Sequence, residues 1–388
     1  MAGVSWRFEF SSDQGEGRED VGVQKTGKLY TPDGGTTMPK MIPDQEKAAR
    51  FQRFWQRADT DRPLIGATIS TFPSVRAVRG EGILSPEDLD LAENLRELDD
   101  EWEQWRGVMG DAVWSANPLW AFPWLLAIAG CPIERRDENL WGLPALEDYR
   151  DLDRLRFDPS NPWFQRLMEF TRAIVEHGRG RYPVGVGELM LGPVDMMMQV
   201  RGQEPLALDI YDRPDMVVAL GRQCLELCAA ALEAQYAAVP TYCGGYAGTI
   251  RYFWAPGKLV EAAEDITFMT SLGVHREFIV PIHRAMGRRF PYTIVHLHSA
   301  QLHTVENLLE VEEIAAIEIT PDFGEDLRPR LSILARILER KPLIVHGIMS
   351  LDAMKDMIRA LPARGLCLLA RCNSPAEGEK VLNEVVGG

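Results

Sequence analysis

The sequence of 388 residues lacks the features of a membrane protein or a secreted protein. It has no uninterrupted apolar run near the ~18 residues that a membrane-spanning helix requires. Its first residues lack the basic and then apolar pattern of a secretory signal. Its six cysteines are irregularly spaced, unlike the framework of a disulfide-stabilised secreted domain. We therefore expect a cytoplasmic protein that does not associate with a membrane.

Positive charge is scarce as well, since 42 lysines and arginines stand against 57 aspartates and glutamates, with a formal net charge of -15. Nucleic acids and anionic membrane surfaces are bound through clustered positive charge. We expect neither as a partner, and a small molecule is the expected ligand. The polar, glycine-rich residues 1–42 predict an N-terminal arm that packs over the main domain or over the partner subunit of a homodimer.

Two common nucleotide-binding motifs are incomplete, and the nucleophile motif of serine hydrolases is absent. Gly185-Val-Gly187 follows a predicted strand but lacks the third glycine and the acidic residue of a dinucleotide site. Pro256-Gly257-Lys258 lacks the upstream glycine and the following Ser or Thr of a phosphate-binding loop. No Gly-x-Ser-x-Gly turn is present. Hydride transfer with a bound dinucleotide and serine hydrolysis are therefore disfavoured.

Short, continuously apolar runs alternate with longer amphipathic segments from about residue 43 onward. This alternation is typical of an α/β fold with a parallel sheet covered on both faces. Eight runs, with no glycine-rich turn after the first, favour a (β/α)8 TIM barrel over residues 43–388 rather than a doubly wound open sheet. A long, tryptophan-rich connection predicts extra structure between strands 2 and 3, over the mouth of the barrel. The predicted strands are 63–70, 111–115, 182–187, 239–243, 293–298, 315–320, 342–347 and 366–371.

Histidines and a cysteine lie where several predicted strands end. In a barrel, functional side chains project from the carboxyl ends of the strands and from the loops that follow. His296 and His298 close the fifth strand, His346 closes the seventh, and Cys372 follows the eighth. Alternate residues of a strand share a face and lie roughly 6.5 Å apart. The imidazoles of His296 and His298 can therefore converge on one ion.

These residues predict a metal site. His296, His298 and Cys372 supply the three protein ligands that a catalytic zinc ion takes while it keeps one position open. The alternative is a pair of hydrogen-bonded histidines with a buried, inert thiol. His346 is either a fourth ligand or catalytic acid, or else a strand-end histidine whose hydrogen bonds are satisfied.

Further pocket residues are predicted from their positions near strand ends. Glu188 ends the third strand and, together with Arg251, is a predicted catalytic residue. His275 and His283 fall among charged neighbours on a predicted helix and are expected at the surface. The predicted substrate-binding residues are Tyr246, Trp254, His303 and Asp322.

A series of short segments follows a familiar order along the chain. They are Arg53-Phe-Trp, Asp61-Arg-Pro-Leu, Phe157-Asp-Pro-Ser-Asn-Pro-Trp163, Gly192-Pro-Val-Asp, Arg201-Gly, Leu208-Asp-Ile-Tyr-Asp, Trp254-Ala-Pro-Gly-Lys258, His296-Leu-His-Ser and Arg371-Cys-Asn-Ser. From about Arg50 to its end, the chain resembles the uroporphyrinogen decarboxylase superfamily, in particular its decarboxylase-like members.

The resemblance implies a (β/α)8 barrel with one of two chemistries. Metal-free porphyrinogen decarboxylases use an arginine-rich N-terminal segment, which the arm of this chain does not match. Zinc-dependent methyltransferases of the superfamily pass a methyl group between a corrinoid and a thiol, and they bind zinc through a His-x-Cys pair and a distant cysteine. His296 and Cys372 match the first and last of these ligands, and His298 stands in place of the middle cysteine.

The leading hypothesis is therefore a zinc-dependent methyl or alkyl transferase that activates a thiol acceptor. Because this chain shows no corrinoid-binding region, the corrinoid would be carried by a separate protein. The alternative is a metal-free decarboxylase or lyase, in which Arg251 holds a carboxylate and His296 or His298 donates a proton. A non-catalytic descendant that binds a ligand or partner is the third hypothesis.

Overall fold

The computed structural model describes residues 42–69, 76–119, 121–136, 139–187, 192–249, 252–322 and 325–386. The predicted arm, apart from its last residue, lies outside the described residues. The predicted catalytic residues Glu188 and Arg251 also lie outside them. The described residues belong to one compact unit.

Strands and helices alternate along most of the chain. In chain order the strands are β1 (Leu64–Ile69), β2 (Gly82–Ile83), β3 (Ile133–Arg136), β4 (Asn139–Gly142), β5 (Gly185–Val186), β6 (Tyr246–Gly248), β7 (Trp254–Ala255), β8 (Leu259–Ala263), β9 (Tyr292–His298), β10 (Ile314–Thr320), β11 (Leu343–Gly347) and β12 (Leu366–Cys372).

The α-helices differ widely in length. They are α1 (Asp44–Trp55), α2 (Leu91–Trp105), α3 (Trp124–Ile128), α4 (Pro162–His177), α5 (Pro193–Arg201), α6 (Gln203–Asp212), α7 (Pro214–Ala238), α8 (Leu272–Val274), α9 (Val280–Arg289), α10 (Val305–Leu309), α11 (Leu331–Arg340), α12 (Leu351–Ala360) and α13 (Pro375–Val386). Among the helices that the structure describes, none combines the length and the apolar character needed to cross a membrane.

Six strands form one parallel sheet in the order β1-β12-β11-β10-β9-β8. Strand β11 is buried at every position and β1 at all but its last. This burial is expected of a parallel sheet that helices cover on both faces. The predicted α/β fold with a parallel sheet is confirmed. Because the strands are parallel, the carboxyl ends of β8, β9 and β10 meet at one edge of the sheet.

The strand beside β9 lies later in the chain than the sequence predicts. Helix α7 continues to Ala238, residues 239–243 are not a strand, and β8 pairs with β9 instead. The prediction of a strand at 239–243 is therefore wrong. Strand β8 contains the charged residue Glu261 in its centre. A search for continuously apolar runs misses such a strand, because Glu261 interrupts the run. The sequence alone does not show that this charged residue is buried in a sheet.

Residues 110–116 and 183–187 lie between β1 and β8 and are joined to them by individual backbone hydrogen bonds. The donor and acceptor pairs are the Asp111 N–H to the Ile65 carbonyl (2.9 Å), the Gly185 N–H to the Ala116 carbonyl (2.7 Å) and the Glu261 N–H to the Gly187 carbonyl (2.9 Å). A single parallel bridge also pairs Ala116 with Val184. The predicted strand at 111–115 is thus replaced by an irregular segment with strand-like bonds.

The connection between these two segments has elements of its own, as its length and tryptophan content predict. It contains α3, the hairpin of β3 and β4 that pairs with β2, and α4. Trp124 is 1% exposed, and its indole N–H donates to the Pro118 carbonyl at 2.7 Å. The Trp124 ring is therefore a core residue with its polar atom satisfied.

Gly287 allows α9 to pack closely against the chain that leads into β10. A Cβ added to Gly287 would lie 2.3 Å from the Glu313 carbonyl oxygen. Since backbone atoms cannot yield as a flexible side chain can, Gly287→Ala should lower the free energy of unfolding by about 1–3 kcal/mol. Urea unfolding measures this loss. In Gly107→Ala, the matched control, the new Cβ meets nothing within 4 Å, and equal losses in the two variants would contradict the prediction.

Candidate metal site

His296 and His298 lie together at the carboxyl end of β9. Their ring centroids are 4.9 Å apart at an interplanar angle of 76°, as expected for alternate residues on one face of a strand. In the register of β9 with β10, Glu318 lies opposite His296 and Thr320 lies opposite His298. His296 and Glu318 are buried, whereas the His298 side chain is 29% exposed. The pair therefore reaches from the interior of the fold to its surface.

Each of the two histidines has a carboxylate at its Nδ1 atom. His296 Nδ1 is in short contact with a carboxylate oxygen of Glu318, and His298 Nδ1 lies 2.8 Å from Asp322 Oδ1. Such contacts fix the orientation of a metal-binding imidazole and leave Nε2 as the nitrogen that binds the ion. His298 Nε2 lies 3.9 Å from Asp265 Oδ1. The two histidines are thus oriented in the way that metal ligands are.

The charged groups at this edge of the sheet shift the pKa values of the two partly exposed residues, His298 and Asp322. Burial alone would lower the pKa of His298, but the hydrogen bond to Asp322 and the charge of Asp265 raise it above its usual value. Burial alone would raise the pKa of Asp322, but hydrogen bonds from His298 and Ser299 lower it to about 2. His298 and Asp322 therefore form an ion pair that favours the charged form of each partner.

Two groups of side chains in the described part of the chain bring three ligand atoms within 4.8 Å of one another. The first group is Asp265, His296 and His298, and the second is Glu261, His296 and Glu318. Asp265 Oδ1 is buried and has no hydrogen-bond partner among the described residues. A buried carboxylate oxygen without a donor costs free energy unless a cation or a proton satisfies it. The donor set therefore fits a metal ion.

The structure does not bring Cys372 into either group. Its thiol lies 3.5 Å from the Ala370 carbonyl, and burial and the charge of Glu377 raise its pKa to about 12. Cys367, five residues earlier, has its pKa raised by burial and by the charges of Asp111 and Glu318. An odd spacing puts the two thiols on opposite faces of the strand. Cys367 thus shares the face of Glu318, and Cys372 faces α13, contrary to the predicted ligand trio.

Three other predicted residues differ in how near they lie to the histidine pair. Asp322 is in direct contact with His298, as described above. His346 is buried, and its Nε2 lies 3.0 Å from the Thr68 hydroxyl. His303 is exposed, and its Nε2 lies 3.1 Å from the Thr270 carbonyl. A catalytic role for His346 and a substrate-binding role for His303 stay predictions of the sequence.

Tyr246 belongs to β6, which pairs with β5 in a separate three-stranded sheet, and its ring lies towards the end of the six-stranded sheet opposite to the histidine pair. The Tyr246 ring packs on Tyr236, whose hydroxyl accepts from the backbone of Leu259, the first residue of β8. The sequence predicts Tyr246 at the mouth because it predicts a strand at 239–243. In the structure Tyr246 is instead the first residue of β6, and its ring packs near the start of β8 rather than near the carboxyl end of that strand.

Trp254 lies towards this same end of the six-stranded sheet. Its carbonyl accepts from the Trp55 indole at 2.8 Å, and Trp55 packs on Tyr292, the first residue of β9. The Trp254 indole itself donates to the Tyr242 carbonyl at 2.8 Å. Both predicted substrate-binding aromatic residues are therefore away from the histidine pair.

His275 and His283, predicted at the surface, are fully buried, so that prediction is wrong. Both contact the carboxylate of Glu264, at 3.2 Å and 2.5 Å. Burial alone would raise the pKa of Glu264, but the hydrogen bonds from these histidines lower it to about 2. His275 begins a π-helical turn, His275–Ile279, and His283 lies in the following helix α9. Their spacing of eight residues is a signal of one shared helical face, which charged neighbours in the sequence obscure.

Asp195, at the start of α5, is a buried carboxyl that the sequence does not single out. Its Oδ1 accepts from the Ile266 N–H at 3.4 Å, and its Oδ2 has no partner among the described residues. Burial and the negative charge of Asp265 raise its pKa. Asp195 therefore lies close to Asp265. The segment Gly192-Pro-Val-Asp195 is one of those on which the family resemblance depends.

Comparison with known proteins identifies the fold rather than a family. No protein-family model matches the chain, and no curated protein matches it. Among solved structures, the chain is similar to a methyltransferase from Methanosarcina mazei, with 13% sequence identity and a TM-score of 0.58. The similarity covers 88% of this chain and 97% of that one. At this identity the likeness shows a shared fold.

Proposed function

We propose that this protein is a metal-dependent methyl or alkyl transferase with a thiol acceptor. The observation that carries the proposal is the convergence of His296, His298 and Asp265 at the carboxyl edge of the parallel sheet. The similarity in fold to a methyltransferase supports the same class of reaction. Function on a common fold has to be argued from the site, and the histidine pair with its carboxylates is that site.

We further propose that the sheet closes into a (β/α)8 barrel. The six parallel strands would be completed by residues 110–116 and 183–187, whose backbone hydrogen bonds reach β1 on one side and β8 on the other. Closure would place the carboxyl ends of β8, β9 and β10 on the rim of the barrel, where barrel enzymes carry their active sites. In this arrangement, Glu261 and Glu318 would lie inside the barrel, below Asp265 and His298.

The residues of the first group would hold a zinc ion through two imidazole nitrogens and one carboxylate oxygen. Two histidines and one carboxylate are a known ligand set of catalytic zinc, which leaves a fourth position open. Glu318 and Asp322 would keep the Nε2 atoms of His296 and His298 directed at the ion. When bound, zinc would lower the pKa of an acceptor thiol and present it as the nucleophilic thiolate.

The methyl donor in this proposal is a corrinoid carried by a separate protein. The methyl group would pass to the thiolate sulfur with formation of a C–S bond, and the bonding electron pair would remain on the cobalt of the corrinoid. Free methylcobalamin and a small thiol can replace the two physiological partners in an assay. We expect loss of methylcobalamin absorbance with the zinc-loaded protein and none after chelation. Turnover of a carboxylated compound by metal-free protein would instead favour the lyase alternative.

Asp265→Asn tests the ligand set directly. Because this substitution removes a charged ligand and keeps the shape of the side chain, zinc affinity should fall by at least the ~10–100-fold that is typical for loss of an outer-shell partner. Zinc content is measured by elemental analysis of protein purified without chelator. The matched variant Cys372→Ala should keep its zinc, since Cys372 lies in neither group.

The opposite result would restore the ligand trio that the sequence predicts. Loss of zinc from Cys372→Ala, together with retention by Asp265→Asn, would show that the Cys372 thiol and not the Asp265 carboxylate binds the ion. Absence of zinc from the wild-type protein, even after incubation with zinc salts, would overturn the metal-dependent function itself.

A further inference from the structure

We infer that Gln301 is a positioning residue that holds the two metal-binding segments together. This inference rests on the proposed function, because it concerns the site formed by Asp265, His296 and His298. Gln301 lies in a short 3-10 helix, Ser299–Thr304, that follows β9, and it is 1% exposed. It is a neutral side chain buried beside charged groups.

The Gln301 amide bridges the backbone of one ligand segment to the backbone of the other. Its Oε1 accepts from the His298 N–H at 2.6 Å. Its Nε2 donates to the Glu264 carbonyl at 2.6 Å and to the Thr267 hydroxyl at 2.8 Å. The bonds thus end on His298 itself and on the residue directly before Asp265. One side chain therefore fixes the distance between the end of β9 and the end of β8.

Only an amide can make this set of bonds. A primary amide has one acceptor oxygen and a nitrogen with two hydrogens, and here one acceptor and two donor contacts are used. A carboxylate would keep the contact to the His298 N–H but would place negative charge against the Glu264 carbonyl. An apolar side chain would remove the acceptor of the buried His298 N–H, which costs free energy. It would also remove the bonds that tie the Glu264 carbonyl and the Thr267 hydroxyl to the end of β9, leaving these two groups only their bonds within the Asp265 segment.

The Asp265 segment depends on such external support because it is short. Asp265 begins a 3-10 helix of five residues, Asp265–Met269, and isolated helices of this length are not stable by themselves. On its other side, the Glu264 carboxylate is held by His275 and His283. Asp265 therefore follows a residue that is fixed through both its side chain and its carbonyl. Because Gln301 also bonds to the His298 N–H, its bond to the Glu264 carbonyl fixes the position of Glu264 relative to His298.

The experiment compares zinc affinity in Gln301→Leu, Gln301→Glu and Gln235→Leu, by competition with a chromophoric chelator. Gln235 is the matched control because it is also 1% exposed and buries an amide, which donates to the Thr171 hydroxyl at 3.2 Å, but it lies in α7. We expect Gln301→Leu to bind zinc about 10–100-fold more weakly, Gln301→Glu to show a smaller loss, and Gln235→Leu to bind as the wild type does.

Cobalt-loaded protein gives a second readout that a change in stability alone would not move. The visible absorption of bound cobalt reports the geometry of its ligands, so we expect the bands to shift in both Gln301 variants and not in Gln235→Leu. If Gln301→Leu fails to fold, Gln301→Glu carries the test, because it keeps the size and the acceptor of the side chain.

Three results would overturn the inference. Unchanged zinc affinity and cobalt spectrum in both Gln301 variants would show that the bridge does not position the ligands. An equal loss of affinity in Gln235→Leu would show a general effect of a buried amide on stability. If the wild-type protein binds no zinc, the proposed function fails first and the inference falls with it. In the first two results, the wild type still binds zinc, so the failures are distinguishable.

Discussion

His296→Ala should abolish measurable zinc binding, because His296 is the one residue that belongs to both groups of potential ligands. Loss of this imidazole leaves Asp265 and His298 in one group and Glu261 and Glu318 in the other. Neither pair supplies the three protein ligands of a catalytic zinc site. We expect affinity to fall by more than the ~100-fold upper range for an outer-shell substitution, measured by competition with a chelator and by elemental analysis.

His296→Ala also leaves the buried carboxylate of Glu318 without its histidine partner, so its stability has to be measured beside its metal content. His296→Gln keeps a polar group at this position and separates the two effects. His303→Ala is the control at an exposed histidine of the neighbouring helix and should change neither property. Zinc binding by a folded His296→Ala variant at wild-type strength would exclude both ligand groups.

Glu264→Gln should destabilise the fold more than any other single substitution considered above. The Glu264 carboxylate is fully buried and contacts His275 and His283 at 3.2 Å and 2.5 Å. Removal of one partner from a buried charged cluster typically costs about 3–5 kcal/mol, because the remaining groups lose their compensation. Urea unfolding at neutral pH measures the loss. Glu176→Gln breaks an exposed pair with Arg179 and should leave stability nearly unchanged.

The same carboxylate should make wild-type stability depend on pH in the acid range. The pKa of Glu264 falls from an ordinary 4.5 to about 2 in the folded protein, so the folded state binds the proton less tightly than the unfolded state does. The resulting stabilisation is complete above pH 4.5 and is lost as the pH falls towards about 2. Between these values, wild type should lose more stability than Glu264→Gln. Parallel pH profiles for the two proteins would contradict the assignment.

The repeated apolar runs were sufficient to predict the parallel sheet, because a strand buried on both faces has to be apolar along its whole length. They failed at β8, where Glu261 interrupts the run, and at residues 111–115, where the backbone makes strand-like bonds without a regular ladder. Tyr246 and Trp254, which the sequence predicts as substrate-binding residues, lie near the first residues of β8 and β9, away from the histidine pair.

The position of the histidine pair could be predicted from its own spacing, since alternate residues of a strand share a face. The partners of that pair could not. Asp265, Glu318 and Asp322 come from three different segments, and only the register of the strands and the turns after them brings these carboxylates to His296 and His298. No local pattern in the sequence records such a distance.

The sequence by itself determined that the chain is acidic, that it folds as alternating strands and helices, and that two imidazoles lie side by side at a strand end. Tertiary structure decided which other groups complete the site. The register of the strands places Cys367 on the same face of the sheet as Glu318, so that Cys372, five residues later, lies on the other face. The burial of His275 and His283 depends on Glu264, which is buried beside them. A charged or titratable side chain is predicted to be exposed from the sequence alone, because only the packed structure shows the partner that offsets the free-energy cost of burying it.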